Sequence, residues 1–286
     1  MLAVSLVIPA HNEEHRLSPT LDAYGMELRE KFGEEFEIIV VSNGCSDGTV
    51  DVAKSAAAWD PRIRVVEIDD AVGKGGAVLK GLRLAEGEMV AFADADGATT
   101  PEALVGLFGE LAGSDVVVGS RRMKGSTILR PQTLSRRLFG FAFAKTARGL
   151  FGLPYRDTQC GAKVMRKEAA RQLCEVVSET RWTFDLDLLL CARRLGMKII
   201  ERPVVWADGR GSRLRYASTT WEVLVAFCGM KLRQRRPLEL LPEAPILGEE
   251  AEREAASREL VPRQNDGPHR DGGRRRRLRR PTERAL

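Results

Sequence analysis

The sequence predicts an α/β fold, a mainly parallel sheet flanked by helices, and two observations carry that prediction. Short apolar segments alternate with stretches of helical length, the rhythm of right-handed βαβ units. Clusters rich in Gly, Asp and Asn follow the apolar segments, and in such sheets ligands bind beyond the carboxyl ends of the strands. With 286 residues, 43% apolar and 30% charged, the chain has material for a sizeable core and is not disordered throughout.

The elements follow in order. Residues 4–8 form a first strand ending at Pro9 and Ala10, and a helix runs on to about Phe32. Residues 36–41 are a second strand, closed by the turn-forming run Ser42-Asn43-Gly44-Cys45-Ser46-Asp47-Gly48. A helix over 49–58 and a strand over 63–68 come next. Gly73-Lys74-Gly75-Gly76 opens another helix, 89–93 is a fourth strand, 102–111 a helix and 115–119 a fifth strand. Beyond 120 the pattern changes. A basic, aromatic helical segment covers about 134–153, a polar turn spans 156–161, and 168–177 and 184–195 read as helices. Two short strands fit 198–201 and 204–206. An amphipathic helix over about 216–235 places Trp221, Leu224, Val225, Cys228 and Leu232 on one face. Residues 1–236 are therefore expected to be one domain, and 237–286, where Pro, Glu and Arg dominate, a disordered charged tail.

Composition excludes several classes. No apolar run approaches the roughly 18–20 residues of a membrane-spanning helix, and the apolar N-terminus, without a basic leader, reads as a strand and not as a signal peptide. The five cysteines are scattered, with no Cys-x-x-Cys, which argues against zinc or a disulfide framework and fits a reducing compartment. The net charge of +5 comes from the tail: residues 262–286 hold nine Arg against three acids. Basicity is thus no whole-surface nucleic-acid footprint, and nucleic acid is not expected as a partner. One internal patch differs: from Val116 through Arg156 there are nine Lys or Arg and no acid, interleaved with Phe139, Phe141, Phe143 and Phe151.

Chemistry centres on Asp94-Ala95-Asp96-Gly97. An apolar strand delivers two carboxylates, one residue apart and so on one side of the chain, into a turn. Such oxygen ligands suit Mg²⁺ or Mn²⁺, which share their coordination with substrate phosphates; the plain alternative is a surface turn capping the next helix. Gly73-Lys74-Gly75-Gly76 offers backbone N–H groups and a lysine to an anion, or is merely a tight turn.

Together with these, the runs Ile8-Pro9-Ala10-His11-Asn12-Glu13-Glu14, Val40–Thr49 and Gly119-Ser120-Arg121 occur in order, and the set resembles the inverting family-2 glycosyltransferases of GT-A fold. Arg156-Asp157-Thr158-Gln159-Cys160-Gly161-Ala162-Lys163 and Arg181-Trp182-Thr183-Phe184-Asp185-Leu186-Asp187, followed by Trp206 and Gly211-Ser212-Arg213, resemble one branch, the dolichyl-phosphate β-glucosyltransferases. The resemblance covers about residues 4–235. It implies that Pro9, Ala10, Glu13, Asn43, Lys74 and Asp94 bind the nucleotide sugar and that Asp94 and Asp96 hold the metal. It further implies that Arg121 and Arg136 contact the acceptor phosphate and that Asp185 and Asp187 form an acidic pair near the reacting centre. Where many relatives carry paired acids near the base, this chain has Ser42 and Asn43; where some carry a Gln as third metal ligand, it has Ala98. Three roles stay open for Asp185 and Asp187: orienting the sugar, acting as base, or pairing with Arg181.

The expected activity is metal-dependent, inverting transfer of a hexose, glucose from UDP-glucose first, onto a polyprenyl or dolichyl phosphate. The expected place is the cytosolic membrane surface, with the Phe-rich segment and the 216–235 helix either in the interface or packed on the domain. The rivals are a related transferase using GDP-mannose or a water-soluble acceptor, and a non-catalytic membrane- or nucleic-acid-binding protein. Oligomeric state leaves no sequence signal.

Overall fold

The computed structural model describes residues 2–209 and 216–234, without the side chains of 216–221. The Gly211-Ser212-Arg213 motif, the Trp221 side chain and the 237–286 tail lie outside the described residues.

The first half of the chain alternates as its pattern requires. Strands β1 (Val4–Ala10), β2 (Phe36–Asn43), β3 (Ile63–Ile68) and β4 (Met89–Phe92) are linked by helices α1 (Leu17–Phe32), α2 (Thr49–Trp59) and α3 (Gly73–Leu84). Helix α4 (Pro101–Gly109) leads to β5 (Val116–Ser120). Its start is fixed locally: Pro101 fits the first turn and the Thr100 side chain accepts the Ala103 N–H. After β5 come β6 (Thr127–Arg130), α5 (Leu134–Phe151), β7 (Lys163–Arg166), α6 (Lys167–Val176), α7 (Phe184–Arg194), β8 (Ile199–Pro203), β9 (Val205–Ala207) and α8 (Tyr216–Arg233).

Seven strands form one sheet in the order β3-β2-β1-β4-β7-β5-β8, and β6 pairs with β9 separately. The sheet is mainly parallel, as predicted; β7 alone runs antiparallel, to both β4 and β5. Alternation along each strand feeds two cores. Val7, Ile39 and Val41 face α3, α6, α7 and the inner sides of α5 and α8. Leu6, Ile8, Ile38 and Val40 face α1, α2 and α4.

Two features depart from the sequence reading. The pattern marks no strand at β6 or β7. Lys163 opens β7 and reads as a surface residue, yet it is fully buried between two neighbouring strands. In α8, the apolar face identified from spacing is not the packed one. Val223, Phe227 and Met230 are buried against α5, whereas Leu224, Val225 and Leu232 are each more than half exposed and Cys228 is exposed. The aromatic segment likewise packs on the domain for the most part: Phe143 and Phe151 are buried against Phe227, Phe139 stacks near Trp182, and Phe141 is 60% exposed. Among the described residues no helix is long and apolar enough to cross a membrane.

Candidate active site

The carboxyl ends of β1, β2 and β4 meet at one rim of the sheet, because β1 lies between the other two with Val7 beside Ile39 and Phe92. Past β4 the chain turns through Gly97 at φ 62°, a left-handed conformation that glycine adopts without strain. Asp96 helps fix that turn by accepting the Ala98 N–H at 3.0 Å. A cleft of about 450 Å³ at this rim is lined by Pro9, Ala10, Glu13, Asn43, Lys74, Asp94 and Asp96 among others. Six of the residues expected at the nucleotide sugar, together with the second carboxylate of the proposed metal pair, thus share one wall. A second cavity, of about 510 Å³, has Gly73, Lys74, Asp94, Asp96 and Arg181 in common with the first and adds Arg121, Arg136 and Asp185.

Lys74 is the link between the carboxylates. Its Nζ lies 2.7 Å from Asp94 Oδ1 and 3.3 Å from Asp185 Oδ2. Burial works against its charge, but Asp185 and Asp94 outweigh that and raise its pKa above the usual lysine range. Asp185, at the start of α7, is 3% exposed and receives a second ammonium, Lys163 Nζ, at 2.5 Å on Oδ1. Burial pushes its carboxyl up, and Lys163 and Lys74 together hold it below the ordinary carboxylate range. It pairs with these lysines and not with Arg181, which instead approaches Glu222 at 3.8 Å.

Asp187 does not join this set. Its Oδ2 accepts the N–H groups of Ser178 and Glu179 at 3.1 and 3.0 Å, and its Oδ1 faces Arg233 at 3.4 Å. One residue of helix separates two side chains by about 100°, and two by about 200°, so Asp185 and Asp187 point to opposite sides of α7.

The two arginines expected at the acceptor phosphate are both held by carboxylates. Asp157, itself 1% exposed, takes Arg121 through Nε at 2.6 Å and Nη2 at 2.7 Å, and accepts the Arg121 backbone N–H as well. Burial opposes the Asp157 charge, yet Arg121 brings its pKa down to about 2. Arg136 Nη1 sits 2.6 Å from Asp208 Oδ1. Each pairing leaves guanidinium N–H groups over, since one fork offers five. Asn43 is equally engaged: its Oδ1 accepts the Val72 N–H at 2.8 Å and holds the loop that leads into α3.

Asp94 and Asp96 fit a divalent cation of the Mg²⁺ or Mn²⁺ class by their donor chemistry. Burial, and then the nearby charge of Asp94, raise the Asp96 carboxyl, a strain that a cation between them would relieve. Among the described residues no group of three or more His, Cys, Asp or Glu side chains gathers as a complete cage.

Sequence reasoning assigned no role to several residues of the site. Thr158 Oγ1 and Gln159 Nε2 are buried without a hydrogen-bond partner, and both residues line the second cavity. Their run carries part of the family resemblance, but a motif does not say which side chains face inward. Gly161 is the clearest case. A Cβ there would overlap the Asp94 carboxylate, so only glycine lets this turn close over it. Gly161→Ala is expected to displace Asp94 and slow turnover about tenfold, with little change in melting temperature. Full activity in a transfer assay would show that the contact is unimportant.

The profile described as Glycosyl transferase family 2 matches residues 5–174. A dolichyl-phosphate beta-glucosyltransferase of Drosophila melanogaster is 36% identical over 228 residues, covering 74% of this chain and 69% of that protein. One from Trichomonas vaginalis is 35% identical over 224 residues, covering 74% and 66%. The chain therefore spans about two thirds of the length of these relatives. Among solved structures, mannosyl-3-phosphoglycerate synthase from Rubrobacter xylanophilus superposes with a TM-score of 0.60 at 24% identity, over 82% of this chain and 75% of that one. Glucosyl-3-phosphoglycerate synthase from Mycobacterium tuberculosis, in complex with Mn²⁺, UDP-glucose and phosphoglyceric acid, does so at 0.59 and 20%, over 80% of each chain. At these identities the two structures share the fold.

Proposed function

The chain belongs to glycosyl transferase family 2, and from that premise we propose that it moves glucose from UDP-glucose onto a polyprenyl or dolichyl phosphate, with a divalent cation, at the cytosolic face of a membrane. The observation that carries this reading is the shared wall of the two cavities. Lys74, Asp94 and Asp96 belong to both, so a diphosphate held on one side and an anionic acceptor held on the other meet at the same residues.

Roles follow from chemistry. Breaking a sugar–diphosphate bond requires that the leaving diphosphate be neutralised. Asp94 and Asp96 would hold the cation, which supplies that neutralisation as a Lewis acid. Lys74, kept charged and aimed by Asp94 and Asp185, adds a second positive group. Pro9, Ala10, Glu13 and Asn43, which line the first cleft, would receive the nucleotide. Thr158 and Gln159 supply unpaired polar atoms for sugar hydroxyls.

A phosphate monoester has a second pKa of about 6 by analogy with phosphorylated side chains. Such an acceptor is already anionic near neutral pH and needs positioning more than deprotonation. Arg121 and Arg136 would provide it, oriented by Asp157 and Asp208. Asp185 then serves by fixing Lys74, and Asp187 by holding the 178–179 backbone, without either accepting a proton. The half-exposed apolar residues Leu224, Val225 and Leu232 of α8 support a peripheral membrane position.

The test is an activity scan of nucleotide sugars, GDP-mannose included, against short-chain polyprenyl phosphates and water-soluble phosphates. Transfer from UDP-glucose to the lipid phosphate is expected to dominate; preference for a soluble acceptor would overturn the reading. Arg121→Ala and Arg136→Ala are expected to raise the acceptor KM by about tenfold while donor affinity stays near wild type, with Lys rescuing only in part because it lacks the planar fork. Equal loss of donor binding in these variants would remove both residues from the acceptor site.

A further inference from the structure

Beyond Arg121 and Arg136 the second cavity continues into a groove of about 750 Å³, which has Arg121, Arg122, Gln132 and Trp206 in common with it. One wall is α5. Leu134, Leu138 and Phe141 are each at least 60% exposed, and their spacing sets them in one stripe that Lys145 and Arg148 continue. Along α5 the groove's apolar side chains lie toward the start of the helix, with Arg137 beside them, and Arg148 lies toward its end.

The cations here differ from the two already described. Arg121 and Arg136 have carboxylates. Arg122, Arg137 and Arg148 line the same groove, and among the described residues none of the three side chains has a carboxylate within salt-bridge distance. Arg122 is half-buried, and α5 makes room for it: a Cβ at Gly140 would come within 3.4 Å of its Nη2. Burial lowers the Arg122 pKa, and the charges of Arg121 and Arg148 add to that, against partial relief from Asp157 and Glu201. Mutually repelling guanidinium groups in a half-buried groove are stabilised by an anion.

We propose that Arg122 and Arg148 form a capture site for the phosphate monoester of a polyprenyl-chain acceptor, whose hydrocarbon lies along Leu134, Leu138 and Phe141. The inference rests on the transferase reading above and adds a station to it. The acceptor phosphate docks first on the unpaired arginines and then passes to Arg121, which borders both spaces. A single apolar chain carrying one anionic end matches a groove with apolar side chains toward the start of α5 and Arg148 toward its end. Continuity with the cavity that contains Asp94 and Asp96 points to the acceptor as the occupant and not to a bulk membrane headgroup, which would block the acceptor's path.

Binding of farnesyl phosphate to the 286-residue chain, measured by titration calorimetry beside farnesol and beside vesicles of phosphatidylglycerol, tests this. Arg122→Gln and Arg148→Gln are each expected to weaken farnesyl phosphate by about tenfold. UDP-glucose affinity and the melting temperature should stay unchanged, as should the weak binding of farnesol. Phe141→Ser should weaken farnesyl phosphate and farnesol alike. Wild-type affinity for farnesyl phosphate in the Arg122→Gln/Arg148→Gln double variant overturns the capture site alone. So does loss of vesicle binding with farnesyl phosphate binding intact. Failure of the wild-type chain to bind farnesyl phosphate at all would overturn the lipid-phosphate reading along with it.

Discussion

Asp96→Asn is expected to fold normally and to lose roughly 10²-fold or more in transfer rate, the scale of removing one preorganised electrostatic group. The fold should survive because Asp96 ties its own turn by the hydrogen bond accepted from Ala98 N–H, and an amide oxygen accepts it equally well. What disappears is one of the two carboxylate charges lining both cavities. The residue is also boxed in: a Cβ on Gly209 would collide with its carboxylate, so the replacement cannot swing away to recruit another ligand cheaply. A melting curve and a transfer assay with and without excess chelator give the outcome. Normal turnover in the variant, or in wild type under chelator, would remove the cation from the proposed chemistry.

Lys163→Met should be the most damaging change outside the carboxylate pair. Lys163 is fully buried and spends its ammonium on Asp185 Oδ1 and the Cys160 carbonyl, 2.8 Å away. Removing it leaves a buried carboxylate with one counter-ion, and breaking such a pair costs about 3 kcal/mol or more, roughly 10 °C of melting temperature for a domain of this size. Lys74 would then be drawn from Asp94 toward Asp185, and activity should fall by about 10²-fold. A double variant, Lys163→Met with Asp185→Leu, separates the two effects. It removes both buried charges, so stability should return for the most part, while activity stays low because Lys74 has lost one of its two anchors. Recovery of activity along with stability would mean that the pair only supports the fold.

The order of elements through β5 was legible because β1, β2, β4 and β5 are buried and read as mainly apolar runs bounded by Gly, Asn or Asp, and the partly buried edge strand β3 still alternates with helices at the same rhythm. Asp94, Asp96 and Lys74 were legible for a related reason: strand ends and helix starts are set locally, and the rim where such residues gather follows from βαβ topology. Strand β7 was not legible. Its middle placement depends on β4 and β5 accepting an antiparallel neighbour, and its lysine gives no sign of burial until Asp185 is known to lie opposite. For α8, helical spacing singled out the face of Leu224, Val225, Cys228 and Leu232, and only the positions of Phe143 and Phe151 decided that Val223, Phe227 and Met230 turn inward instead.

What the sequence determined by itself was thus the α/β class, the carboxylate turn and the basic character of residues 116–156. These depend on composition and on periodicity within a few residues, which the chain carries wherever it goes. What only the tertiary structure decided was the pairing of charges. Asp185 faces two lysines from α3 and β7, Asp187 holds a loop on the other side of the same helix, and Arg121 and Arg136 are committed to Asp157 and Asp208 while Arg122 and Arg148 are not. A charge's partner is fixed by distance in space, and residues as far apart as Lys74 and Asp185 acquire that distance only when the sheet and its helices have closed around them.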